Sequence, residues 1–275
     1  MALLLKGEKV MKIGSETPSL RILSSYGEQI NKNRASISSG RSINSASDNA
    51  AGLAISERMQ SQTRGINKAI DNSQDGISLV QTAESALSST HDSLQRMREL
   101  AVQSSNGTLS ENDRAALNQE FSQLKDEISQ TAQSTSFNGK KLLDGSLNES
   151  IDTGSDGSGV NVSVPDMSLT GLNLDSLSIS SSDSAIDAID KLDNAIESVS
   201  NERGNLGSTS KVLEDTISNL MTSNENIQAS ESQIADTDIA KASMELTKNM
   251  ILEKANIAIL AQGKKNAASV LELLK

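Results

Sequence analysis

Apolar residues recur at helical spacing over most of this chain. Leu79, Ala83, Ala86, Thr90, Leu94, Met97 and Ala101 step by 4, 3, 4, 4, 3 and 4, a heptad-like seam with one polar break at Thr90. Asn106-Gly107 stops it. Ser110 and Asp113 then have the spacing of a capping box for a second helix. Leu117, Phe121, Leu124, Ile128 and Ala132 give that helix its face, and Asn138-Gly139 is expected to end it. Further on, Ile186, Ile189, Leu192 (or Asp193), Ile196 and Val199 form a stripe that Leu206, Leu213, Ile217, Leu220, Ile227 and Ile234 extend. Gly204 and Gly207 are expected to kink that helix.

Between these runs, residues 145–183 are rich in Ser, Gly and Asp and contain Pro165. Val160, Val162 and Val164 alternate with Asn161 and Ser163, which predicts a short strand. Leu172–Leu174 and Leu177–Ile179 are its expected partners, and residues 154–159 a flexible turn. The pattern predicts a mostly α fold: a long antiparallel helical hairpin or coiled-coil rod, with a short β-hairpin region at the central tip.

The segment Met250 to Ala261 breaks the amphipathic rule. Nine of its twelve residues are apolar, and at ~100° per residue they point almost all the way round. Such a helix must be covered on every side. Glu253, Lys254 and Asn256 interrupt it, and it falls short of the ~20 apolar residues that a bilayer span requires. The economical cover is other copies of the same chain.

Composition narrows the function. Among 275 residues only Tyr26, Phe121 and Phe137 are aromatic, with no Trp. Long helices packed through Leu, Ile, Met and Ala manage without aromatics. A formal net charge of -11 does not suit nucleic acid, and no basic patch marks a membrane partner. With no Cys and a single His, His91, there is no set of zinc ligands, so no metal, cofactor or catalytic site is expected. Leu3-Leu4-Leu5 is too short for the core of a cleaved secretory signal. Gly7-Glu8-Lys9 permits a purine-rich ribosome-binding sequence before the Met11 codon. Translation is therefore expected to start at Met11, with residues 1–10 an extension outside the protein.

Several blocks carry a resemblance. Ile37 to Glu57 (ISSGRSINSASDNAAGLAISE), Leu94 to Val102 (LQRMRELAV), Phe137 to Leu143 (FNGKKLL), Glu225 to Asp238 (ENIQASESQIADTD) and the run Met244 to Leu274 resemble the signature blocks of bacterial flagellins. They occur together and in order. The resemblance implies a filament subunit exported unfolded through the flagellar type III apparatus, without a cleaved leader, to an extracellular flagellum. It implies an inner-tube coiled coil from residues 11–53 with 235–275, a surrounding helical rod from 54–144 with 184–234, and a short variable tip at 145–183. The implied partners are further copies of the chain, an export chaperone for the C-terminal segment, and hook-associated and cap proteins. In many flagellins resembling this one an animal Toll-like receptor senses the block around Leu94.

Expected subunit-packing residues are Leu94, Met97, Ile251, Leu252, Ile257, Ile259, Leu260, Leu271 and Leu274. Expected receptor contacts are Arg96, Glu99 and Leu100. Read without the resemblance, Arg96, Arg98 and Glu99 are a solvated helix face with local ion pairs. Two features depart from the family pattern: Gly14-Ser15-Glu16-Thr17-Pro18 near the start, and Gly263-Lys264-Lys265-Asn266 near the end. The alternatives are a hook–filament junction protein, a minor or divergent flagellin, and a chemoreceptor-like signalling hairpin.

Overall fold

The computed structural model describes residues 18–154 and 157–273. The expected start at Met11 and the departure at residues 14–17 lie outside them. Five helices carry most of the chain: α1 (Pro18–Ser39), α2 (Ala46–Ser104), α3 (Glu111–Ser134), α4 (Ser182–Ala235) and α5 (Ile239–Leu273). Two short antiparallel pairs lie between α3 and α4: β1 (Ser136–Phe137) with β2 (Lys140–Lys141), and β3 (Asn148–Asp152) with β4 (Gly159–Ser163). The mostly α fold read from the sequence is the one observed. The chain divides into two compact units. Among the described residues a terminal one comprises 18–60 and 229–273, and a central one lies within Ser61–Gln228.

In the central unit α2 and α4 run antiparallel. Arg98 meets Asp193, Glu84 meets Arg203 and Asn67 meets Asn224, so partners climb α4 as they descend α2. Leu79, Ala83, Thr90, Leu94, Met97 and Ala101 are all buried, as the heptad seam requires. On α4 the buried stripe is Ala185, Ala188, Leu192, Ala195, Val199, Leu206 and Leu213. Ile186 is exposed, which corrects its place in the expected stripe: the seam is built on the smaller alanines one position away, which let the helices approach closely. Gly204 and Gly207 do not interrupt α4, and a Cβ at either would meet nothing within 4 Å.

The helix α3 begins as its sequence dictates. The Ser110 hydroxyl accepts from the Asp113 N–H, and the Asp113 carboxylate accepts from Ser110. Asn138-Gly139 proves not to end the helix, which stops at Ser134. The pair forms the two-residue turn joining β1 and β2, with both residues at positive φ (48° and 79°). An Asn-Gly pair supplies that turn at little steric cost. The strand β4 also finds a different partner. It pairs with β3, Asn148 opposite Ser163, and not with Leu172–Leu174 or Leu177–Ile179. Those leucines instead enter the core, and α3 ties down their loop. The Asn118 side-chain oxygen accepts from the Ile179 N–H and the Ser178 hydroxyl, and the Lys125 ammonium donates to the carbonyls of Asp175 and Leu177. Residues 142–179 therefore complete the core through Leu142, Leu147, Val162, Val164, Leu174 and Ile179.

Phe121 is the one aromatic residue buried in this core. Replacing Phe121 by Ala should cost about 3–5 kcal/mol, because the cavity left behind adds to the lost transfer energy. A thermal melt followed by circular dichroism should show a drop of several degrees, and an unchanged midpoint would refute this placement.

Candidate assembly surface

The terminal unit is organised by the segment between α1 and α2. Gly40, at φ +72°, ends α1 in the left-handed conformation that glycine adopts freely. The chain then zips to the α4–α5 joint: the Ser42 N–H donates to the Ala235 carbonyl at 2.7 Å, and the Thr237 N–H to the Gly40 carbonyl at 3.0 Å. Two carboxylates lock the turn. Glu231 accepts from the Arg41 guanidinium at 3.0 Å and the Gln60 amide at 2.6 Å. Asp48 accepts from the N–H groups of Asn44 and Ser45 and from the Ser45 hydroxyl, and pairs with Lys32 at 3.0 Å. The Ser45–Asp48 block thus forms a turn and cap at the start of α2. The next residue, Asn49, is extended and caps the following helical turn by accepting from the Gly52 N–H. Ile43 seats against Gly52, where an added Cβ would come within 2.6 Å of the isoleucine tip.

This joint sets α1 beside α5. Ala242, Leu246, Asn249, Glu253, Asn256 and Leu260 are buried or half-buried and spaced 4, 3, 4, 3 and 4, a heptad seam that the half-buried Met250 and Leu252 flank. Half of that seam is polar. The opposite face carries Met244, Ile251 and Ile259, each more than 60% exposed, and Ile257 is exposed on a flank. On α1, Leu20 and Ile22 are also exposed. The protomer thus buries three polar residues in the seam of α5 and leaves Met244, Ile251 and Ile259 open among the exposed Lys241, Lys248 and Lys254. Burying the exposed half to two-thirds of Met244, Ile251, Ile257 and Ile259 would release roughly 4–7 kcal/mol, since complete burial of such a side chain is worth about 1.5–3 kcal/mol. Association costs on the order of 4–15 kcal/mol in lost freedom. Several simultaneous neighbours would make the balance favourable.

The residues expected to pack subunits fall into two groups. Ile251, Ile257 and Ile259 lie open on α5, while Leu252 and Leu260 are half-buried. Leu271 belongs to α5, but its surroundings and Leu274 lie outside the described residues. Leu94 and Met97 are corrected: both are fully buried in the central core, so their side chains hold this chain together and reach no neighbour. Leu100 is corrected for the same reason, being 1% exposed and closed to any receptor.

Arg96 and Glu99 face outward on the same helix and pair at 2.9 Å. Arg96 also reaches Glu120 of α3 at 2.7 Å, a partner that local sequence gave no sign of. The Glu120 and Glu99 carboxylates hold its guanidinium above the ordinary arginine range. Arg114 is a second residue that the sequence reading missed. It donates to the carbonyls of Ser104, Asn106 and Leu109, satisfying the end of α2. Among the described residues no three His, Cys, Asp or Glu side chains group to hold a metal, and no helix is long and apolar enough to cross a membrane.

The Lys32 ammonium, then the backbone and hydroxyl donors of Asn44 and Ser45, pull the Asp48 carboxyl down to about 2. A depressed carboxyl stabilises the fold above its ordinary value of 3.8 and loses that contribution as pH falls toward 2. Asp48→Asn should therefore be less stable than the parent at pH 6, with the gap closing between pH 4 and about 2. Urea titrations across that range check it, and a gap independent of pH would contradict the assignment.

Comparison with known proteins agrees with this architecture. The bacterial flagellin N-terminal helical region matches residues 17–148, and the bacterial flagellin C-terminal helical region matches residues 189–274. A flagellin of Halalkalibacterium halodurans is 44% identical over 96% of this chain and 100% of its own length. A flagellin of Bacillus subtilis is 41% identical over 94% and 96%. The crystal structure of Bacillus cereus flagellin aligns with a TM-score of 0.51 at 34% identity, over 55% of this chain and 88% of that one. A structure described as a putative flagellar hook-associated protein from Vibrio parahaemolyticus reaches 0.60 at 13% identity, over 69% of this chain and 100% of that one, which speaks to fold alone. With both terminal helical regions matched and full-length relatives above 40% identity, the chain belongs to the bacterial flagellin family.

Proposed function

We propose that this chain is a structural subunit that polymerises with copies of itself into the extracellular bacterial flagellar filament used for motility. The observation that carries the reading is the open apolar face of α5, opposite its seam with α1. Neighbouring copies supply the missing cover. Each copy offers different patches to its neighbours, so contacts run head to tail and propagate without closing.

In this reading residues 11–53 and 235–275 build the inner tube, 54–144 and 184–234 the surrounding rod, and 145–183 a short variable element. Ile251, Leu252, Ile257, Ile259 and Leu260 form the packing surface, continued by Leu271 and Leu274. Before assembly the same face is an aggregation hazard. An export chaperone holding α5, and passage unfolded through the type III apparatus, answer that hazard. Hook-associated and cap proteins occupy the filament ends. Arg96 and Glu99, joined by Glu120 and without Leu100, form the contact for a Toll-like receptor.

Two outcomes test this. Ile251→Glu with Ile259→Glu should abolish sedimentable filaments while the central unit keeps its thermal midpoint, since neither residue lies in that unit. Filaments of normal yield from the double variant would refute the packing role. Separately, Arg96→Ala should lower the receptor reporter response at least several-fold in soluble protein that retains its helical signal. An unchanged response would remove the receptor from the list of partners.

A further inference from the structure

The buried stripe of α4 contains a carboxylate. Leu192, Ala195, Val199, Glu202 and Leu206 follow one another at steps of 3, 4, 3 and 4, all buried, with Glu202 at 7% exposure. A charged side chain at a core position is costly unless something pairs with it. Among the described residues no Lys or Arg forms an ion pair with Glu202. The adjacent Arg203 turns to Glu84 of α2 at 3.4 Å. The Glu202 carboxylate accepts from the Asn205 amide at Oε2, at 3.3 Å, a long contact.

Glu202 opens into a cavity of about 380 Å³ between α4 and the β4 strand with its following turn. Every other residue lining the cavity is uncharged, and Asn161, Ser163, Ser208 and Thr209 bring amide and hydroxyl groups to it. Among the described residues that line it, the cavity thus has one carboxylate and no cation.

We propose that this cavity binds a primary ammonium group, with Glu202 as its counter-charge. An ammonium carries three donors and no acceptor. One carboxylate oxygen and two neutral oxygens satisfy it, and the lining provides both kinds. A guanidinium fits less well, because its planar fork prefers both oxygens of one carboxylate and Asn205 already engages one of them. A divalent cation would need more oxygen ligands and more charge than a single carboxylate brings. Two sources share the chemistry: a free amine or ammonium ion, or a lysine side chain of a neighbouring copy. Only the second rests on the filament reading.

The test begins with soluble subunits, so its failure is separate from any failure to polymerise. Thermal midpoints are measured in rising methylammonium chloride against sodium chloride of equal ionic strength, for the parent and for Glu202→Gln. The parent should gain about 3–6 °C at ten times the dissociation constant, saturably, and Glu202→Gln should gain nothing. Ser208→Leu, which fills the cavity and leaves the carboxylate in place, should also lose the gain and serves if Glu202→Gln does not fold. Coincident methylammonium and sodium curves, or a gain retained by these variants, would overturn the proposal. The same titration on sedimented filaments separates the sources. A gain that persists there identifies a free amine. A gain that vanishes, with Glu202→Gln filaments melting below the parent, identifies a neighbour's lysine.

Discussion

A helix that is apolar around its whole girth must be covered around its whole girth. In this chain the segment Met250–Ala261 of α5 approaches that condition, and the protomer covers it on one side. The seam with α1 takes Ala242, Leu246 and Leu260 but also Asn249, Glu253 and Asn256. The stripe left open carries Met244, Ile251 and Ile259. Polar groups in a seam weaken it and fix its register. An apolar outer face offers its free energy only to a partner. The arrangement favours a subunit that is incomplete alone and gains its terminal core from others of its kind.

The central unit has the opposite character. Its heptad seams close on themselves, and Phe121, Leu94, Met97 and Leu100 are wholly spent inside it. Long-range polar contacts finish what packing begins: Arg114 on the end of α2, Asn118 and Lys125 on the loop before α4, Arg98 with Asp193 across the helix pair. The terminal unit's turn at residues 40–48 is locked by Asp48 and Glu231 in the same manner. One chain thus carries a closed central core and a terminal helix pair with large apolar side chains left exposed.

Local periodicity made much of this legible. The 79–101 seam, the face of α3, its capping box and the all-round character of Met250–Ala261 follow from spacing within one helix. What depended on pairing between distant segments did not follow. The alternation of Val160 to Val164 announced a strand but carried no information that Asn148–Asp152 would lie beside it. Asn138-Gly139 signals a stop equally well for a helix or a hairpin, and only the extended residues on each side decide. Hydrophobicity alone points to Ile186 for the seam, whereas the buried positions are Ala185 and Ala188. The family resemblance named the Leu94–Leu100 block as a contact region, yet the heptad already placed Leu94 and Met97 inward and left Arg96 and Glu99 outside. Glu202 was invisible because an acid in an apolar stripe reads as a gap until the stripe is seen to be buried.

The central claim is that neighbouring copies cover the open face of α5. Oxidative footprinting of methionine measures this directly, since Met244 is 67% exposed in the protomer. Covered in an assembled filament, its thioether should react many-fold more slowly than in dissociated subunits under the same oxidant. The exposed Met221 of the central unit serves as a comparison site. An equal oxidation rate for Met244 in filaments and in free subunits would contradict the account.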